Sequence, residues 1–169
     1  RLLRHLNQAP HLIFWFFLNP LVIVELTGNL HFEGVMLFFF ILAVFLTIRY
    51  GWAWGAVPYA LSIGVKLMPL MLLPLFLPEG RSWFTGALAV VTVYYLASAV
   101  VHPWYLTFPL LLSLFTRMRY MILWSALVIL SYTAYSGPTV SESTAVLLIE
   151  YIAVIGFLLY EIVKYRKDF

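Results

Sequence analysis

The sequence contains no cysteine, which excludes a disulfide framework, a thiol nucleophile and a Cys-ligated metal centre. It is also short of charge. Charged residues make up 10% of the chain, whereas a soluble domain carries about 25%. No basic face is large enough to follow a phosphate backbone, so no nucleic-acid partner is expected. A serine-nucleophile elbow, a P-loop and a dinucleotide-binding glycine fingerprint are missing as well. Soluble nucleotide-sugar chemistry therefore has no recognisable cradle.

What fills the chain instead is apolar. Hydrophobic residues reach 64% and aromatic residues 18% of the 169 positions. A soluble fold of this length could not bury so much apolar surface, whereas lipid can act as its solvent. The expected fold is all-α: a polytopic transmembrane helix bundle in a single domain over residues 1–169. About eight helical segments are read from the runs Leu12–Leu26, Val35–Ile48, Trp52–Val65, Leu67–Leu77, Ser82–Val101, Trp104–Phe115, Met121–Tyr135 and Ala145–Val163. Several fall short of the ~20 residues that a perpendicular span needs. Pro58, Pro69, Pro74, Pro103 and Pro109 sit in or beside them. Broken helices at membrane depth need protein or a water-filled cavity to cover the loosened backbone, and transmembrane helices also tolerate proline without such a cavity. The chain starts at Arg1 without a recognisable signal peptide, and a fragment of a longer protein is expected.

The cations mark a topology. Arg1 and Arg4, Arg49, Arg117 and Arg119, and the Lys164, Arg166 and Lys167 cluster each lie at the edge of an apolar run. Placing these on the cytoplasmic side satisfies the positive-inside rule through eight segments. The opposite side then receives Asn29, His31, Glu33, Lys66, His102 and Tyr105. Arg117 and Arg119 read as cytoplasmic anchors. Trp15, Trp52, Trp54, Trp83 and Tyr120 read as interfacial belt residues. Glu150 is expected to pair within the bundle, and Glu161 to reach Lys164 three residues on.

The residues most suited to chemistry lie on that opposite side. Thr27–Gly34 places an amide, an imidazole and a carboxylate between two glycines. If the preceding helix continued, Glu25, Asn29 and Glu33 would share one stripe. A carboxylate beside a bilayer calls for a partner or water, so the segment reads as a polar substrate site or as a hydrophilic turn. His31 and Glu33 have the spacing of part of a metal site, but two ligands do not make one. A divalent metal is weakly supported, and no cofactor is expected. Lys66 is a lone cation beside Pro69, suited to a phosphate or to snorkelling. His102-Pro103-Trp104-Tyr105 reads as an aromatic belt with a helix start at Pro103, or as a sugar-stacking surface.

These segments resemble one family. Asn19–Gly34, Val65-Lys66-Leu67-Met68-Pro69-Leu70, Val101–Leu106 followed by Phe115-Thr116-Arg117, and Leu130–Tyr135 with Glu150-Tyr151 are similar to segments of the polytopic C-superfamily (GT-C) glycosyltransferases. The bacterial mannosyltransferase-like branch is the one resembled. The resemblance implies transfer of a hexose, with mannose expected, from a polyprenyl-phosphate-linked donor to a glycan or glycolipid acceptor. The reaction side would be extracytoplasmic, in a bacterial inner (plasma) membrane. It further implies that Lys66 and His102 contact the donor phosphate, and that Asn29, His31, Glu33, Trp104 and Tyr105 line the sugar or acceptor pocket. No catalytic base is assigned. The family's usual acidic N-terminal loop has no counterpart, so the chain is expected to be a C-terminal portion, inactive alone. An internal omission is expected near 78–82, where Pro78–Ser82 joins two segments abruptly. Two other classes fit the same pattern: a binding or transport protein for lipid-linked sugars, and a structural membrane subunit.

Overall fold

The computed structural model of the chain describes residues 1–75, 80–98, 101–135 and 143–165. All regular structure among the described residues is helical. Each of the eight apolar runs forms helix, with breaks where proline or polar residues interrupt it. The junction at 78–82 lies partly outside the described residues, as do most of the 136–144 connection and the terminal cations Arg166 and Lys167.

The first run is the most broken. A short α1 (Leu2–His5) is followed by a 3-10 turn at Pro10–Ile13, α2 (Phe14–Phe17), α3 (Pro20–Val22) and a π-helical turn over Ile23–Gly28. Pro20 occupies the first turn of α3, where its missing N–H costs nothing. Asn19 caps that turn by accepting from the Leu21 amide at 3.0 Å, and its own amide donates to Ser125 Oγ at 2.8 Å. The two halves of this run meet at a 56° bend.

The next two runs form a helical hairpin, α4 (Glu33–Tyr50) and α5 (Trp52–Val65). Their apolar sequence continues unbroken apart from Gly51, which takes φ 97°, a conformation L-side chains rarely adopt. That single residue reverses the chain. The helices then approach closely at Gly55, where a Cβ would lie 1.8 Å from Thr47 Oγ1 and 2.7 Å from the Ala43 carbonyl. Small residues permit such close approach in membrane bundles, where burying apolar surface gives no driving force between helices. Ser62 Oγ adds a cross-hairpin hydrogen bond to the Met36 carbonyl at 2.9 Å. Beyond α5, Met68–Leu75 winds as a 3-10 helix around Pro69 and Pro74, and the Tyr59 hydroxyl donates to the Pro69 carbonyl at 2.6 Å.

The rest of the chain packs as α6 (Gly80–Ala97), a 3-10 turn at Pro103–Leu106, α7 (Thr107–Ser113), α8 (Tyr120–Leu127) with a 3-10 extension to Tyr135, and α9 (Thr144–Lys164). Its two described carboxylates, Glu150 and Glu161, are buried and satisfied by donors. Glu150 accepts from Trp124 Nε1 at 2.8 Å, the in-bundle partner expected of it. Glu161 differs from expectation. It accepts from the backbone amides of Arg119 (2.8 and 2.9 Å) and Tyr120 (2.8 Å), and so caps the N-terminus of α8 from another helix. Lys164 lies over the Tyr160 and Tyr165 rings. Arg119 also does more than anchor. Its guanidinium donates to the carbonyls of Ser113, Thr116 and Met118 (2.9–3.1 Å), closing the C-terminal end of α7. Trp15, Trp52 and Trp54 are exposed, as belt residues should be, but Tyr120 is buried at 1% and bonds to the Thr92 hydroxyl. Its hydroxyl has a partner inside the bundle, so the ring has no need of the interface.

At 1.5 Å per residue, the 18 residues of α4 and the 21 of α9 extend about 27 and 31 Å. Both are long and apolar enough to cross a hydrocarbon core, and the bent first run makes a third candidate span. The chain reads as integral to a membrane.

Candidate functional site

The hairpin decides where the polar residues meet. Glu33 opens α4, and Lys66 follows the last residue of α5, so one reversal at Gly51 returns the second to the first. Glu33 Oε1 accepts from Lys66 Nζ. Glu33 is buried, and the Lys66 side chain retains 30% exposure. Lys66 is thus not the lone cation that the sequence suggests. Its charge is matched at the open end of the hairpin, and its Nζ also lies 6.0 Å from the centre of the Tyr105 ring.

The other wall is the link between the first run and α4. The helix does not continue through to Glu33. It widens to a π turn, with the Asn29 amide donating to the Val24 carbonyl at 2.8 Å, and ends there. π turns are rare and recur at functional sites. Leu30 then takes φ 54°, left-handed for a non-glycine residue, a conformation costing roughly 1–2 kcal/mol. The His31 amide folds back onto the Glu25 carbonyl at 3.1 Å. This backbone still places Asn29 against Glu25, as an unbroken helix would have done: Asn29 Nδ2 donates to Glu25 Oε2 at 3.1 Å.

Glu25 is fully buried, with 0% exposure. His31 lies between it and Glu33. Nε2 of the imidazole is 3.1 Å from Glu25 Oε2, and Nδ1 is 3.9 Å from Glu33 Oε2. One oxygen of each carboxylate, Glu25 Oε1 and Glu33 Oε2, has no hydrogen-bond partner among the described residues. Orphaned buried acceptors are uncommon and costly, and both carboxylates that carry one lie against the imidazole.

The aromatic segment closes the site. Pro103 starts the 3-10 turn with His102 as its N-cap residue, as the sequence suggested. Trp104 stacks on His31 at 4.4 Å and on His102 at 4.5 Å. Tyr105 meets His102 edge-on, and its carbonyl accepts from the Tyr95 hydroxyl at 3.1 Å. Asn29, His31, Glu33, Lys66, His102, Trp104 and Tyr105 therefore all fall in one contact ring. Residues separated by up to 76 positions meet at one end of the bundle. His102 joins through its ring contacts and not through Lys66. Among the described residues, no group of three His, Asp or Glu side chains is arranged to hold a metal ion.

Glu25 is the member that sequence reasoning did not single out as a site residue. The available signal was a carboxylate within an apolar run, four residues before Asn29.

Comparison with known proteins adds one finding. Residues 1–78 match the model of the MptA_B family, described as alpha-(1->6)-mannopyranosyltransferase, N-terminal domain. That range includes Glu25, Asn29, His31, Glu33 and Lys66, and stops before the His102–Tyr105 segment. The resemblance to the mannosyltransferase-like branch holds there, and it supports a mannosyltransferase-type glycosyltransferase. The matched description is of an N-terminal domain and lends no support to reading the chain as a C-terminal portion. No curated protein and no solved structure matches the chain.

Proposed function

We propose that this end of the bundle transfers mannose from a polyprenyl-phosphate-linked donor to a hydroxyl of an extracytoplasmic glycan or glycolipid. The observation that carries the reading is His31, held between two buried carboxylates and beside the Glu33–Lys66 pair. A transfer of this kind needs two things. The acceptor hydroxyl must lose its proton, and the leaving phosphate must keep its negative charge stabilised.

The site offers both. Glu25 orients the His31 ring through Nε2, the role a buried carboxylate plays toward a base imidazole. His31 keeps 28% side-chain exposure and so is the reachable member of the pair. In the proposed step, the acceptor oxygen attacks the anomeric carbon while His31 takes its proton. The bond from that carbon to the phosphate oxygen breaks, and its electron pair leaves with the lipid phosphate. Glu33 and Glu25 face the imidazolium that results. Lys66 stabilises the departing phosphate, exchanging part of its contact with Glu33 for the new anion. Trp104 and Tyr105 supply flat apolar faces for the sugar, and Asn29 supplies amide hydrogen bonds. His102 lies at the same wall as a second phosphate contact. The cations support the sidedness: Arg1 shares a pocket with Arg49 at the other end of the hairpin, and the positive-inside rule favours the cytoplasmic side of a bacterial inner membrane for that end.

The test separates binding from transfer. A short-chain polyprenyl-phosphate mannose is titrated into the purified protein in detergent, and mannose transfer to a hydroxylated acceptor is followed in parallel. Lys66→Ala should weaken donor binding about tenfold or more, on the order of 1.4 kcal/mol. His31→Gln should leave donor binding within about threefold and abolish transfer. Equal donor binding by Lys66→Ala, or undiminished transfer by His31→Gln, overturns the assignment of that residue.

A further inference from the structure

The opposite end of α4 carries a second polar pocket that the proposed reaction does not use. A cavity of about 410 Å³ is lined by Arg1, His5, Arg49 and Tyr50, with Leu2, Phe45 and Ile48 as its apolar floor. Arg49 lies in the last turn of α4, with its guanidinium 5.9 Å from the Tyr50 ring centre. Arg1, His5 and Arg49 have no carboxylate partner among the described residues, whereas Lys66 at the other end does. Two guanidinium groups and an imidazole converging on one cavity, without a counter-charge, suit an anion.

Phe45 also borders an apolar groove of about 520 Å³ that follows α4 toward Gly34. Its α4 wall is made at helical spacing by Phe45, Leu42, Ile41, Phe38 and Leu37, and Phe16 faces them from α2. The eleven residue steps from Phe45 back to Gly34 rise about 16 Å. That is about half of a ~30 Å hydrocarbon core, a length comparable to one extended acyl chain. A free phosphate would fill the basic pocket and leave the groove empty, but a phospholipid would fill both.

We propose that this pocket and the groove on the other side of Phe45 together bind an anionic phospholipid of the membrane itself, with the headgroup phosphate on Arg49, Arg1 and His5 and one acyl chain laid along α4. The basic pocket lies at the opposite end of α4 from His31, although the groove runs to Gly34 beside Glu33, and the proposal stands whether or not the His31 end transfers mannose. Because α4 begins at Glu33, a lipid seated along this helix also braces the element that carries the first carboxylate of the polar site.

The experiment reads lipid retention by native mass spectrometry. The full chain is reconstituted in an equal mixture of phosphatidylglycerol and phosphatidylcholine, then extracted in mild detergent. One retained phosphatidylglycerol per chain is expected, favoured over phosphatidylcholine by about tenfold or more. Arg49→Gln should remove that preference while leaving helix content unchanged. Ile41→Trp, which fills the groove without touching charge, should lower retention of the lipid. Should either variant fail to fold, competition on the unaltered protein decides. Dihexanoyl phosphatidylglycerol should then displace the long-chain lipid at least about tenfold less well than the dioleoyl form. Equal retention of both lipids, or no effect of chain length, overturns the proposal. Displacement by millimolar inorganic phosphate would make the pocket a phosphate site only. Displacement by a polyprenyl phosphate in preference to phosphatidylglycerol would make the groove part of the donor path instead. Either result overturns the phospholipid assignment.

Discussion

Glu33 and Lys66 stand 33 positions apart and close the two ends of one helical hairpin with an ion pair. Glu33 is almost wholly buried, so its charge depends on that partner and on His31. The pair therefore links the fold to the chemistry: the contact that seals the open end of the hairpin also sets which charge a phosphate would meet.

This relationship yields a prediction about stability that does not depend on catalysis. Breaking a buried pair by removing one partner leaves the other charge uncompensated and costs about 3–5 kcal/mol when both are fully buried. Lys66 is partly exposed, so Lys66→Met should cost less, about 1–3 kcal/mol. Adding Glu33→Gln to Lys66→Met should recover part of that loss, because no bare carboxylate remains. Thermal unfolding of the two single variants and the double variant in one detergent gives the coupling directly. Strict additivity would show that the two side chains do not depend on each other.

Much of this architecture was legible in the sequence. Eight apolar runs separated by glycine, proline and charge map onto the observed helices, because in lipid every backbone group must be satisfied within its own segment. The site was legible as a set. Asn29, His31, Glu33, Lys66, His102, Trp104 and Tyr105 stand out because polar side chains near a bilayer need partners. The pairings were not legible. Lys66 looked unpartnered since its carboxylate lies a whole hairpin away in sequence. Glu161 looked like a partner for Lys164 by local spacing, whereas tertiary packing presented it with two unpaired amides of α8 instead. The left-handed turn falls on Leu30 and not on Gly28 or Asn29 beside it, so residue type did not mark where the π turn ends and the chain reverses.

The Glu161 contact carries its own prediction. The first amides of a helix lack intrahelical partners, and here one side chain from α9 satisfies both Arg119 and Tyr120. Glu161→Ala should cost about 1–2 kcal/mol, the upper part of the range for losing an N-cap. Glu161→Gln keeps an acceptor oxygen and should cost less. Hydrogen exchange checks the mechanism as well as the size. The amides of residues 119 and 120 should exchange faster in Glu161→Ala, while those of α4 and α5 stay protected. Unchanged exchange at these two amides would remove Glu161 from the capping role.

Gly55 offers the sharpest test of how the hairpin is built. An alanine there would place Cβ within 1.8 Å of Thr47 Oγ1 and 2.7 Å of the Ala43 carbonyl, so the helices must separate to admit even one methyl group. Overpacking of this kind costs typically 1–3 kcal/mol. Thr47→Ala removes the nearer obstacle and not the backbone carbonyl, so the Gly55→Ala/Thr47→Ala pair should recover only part of the loss. Separation of α4 from α5 would also pull Glu33 away from Lys66 at the far end of the hairpin. Gly55→Ala should therefore weaken binding of a polyprenyl-phosphate mannose, although residue 55 lies well away from the polar ring. If Gly55→Ala unfolds at the same temperature as the parent chain, α4 and α5 are not packed as tightly as described, and the tie between hairpin and site loses its basis.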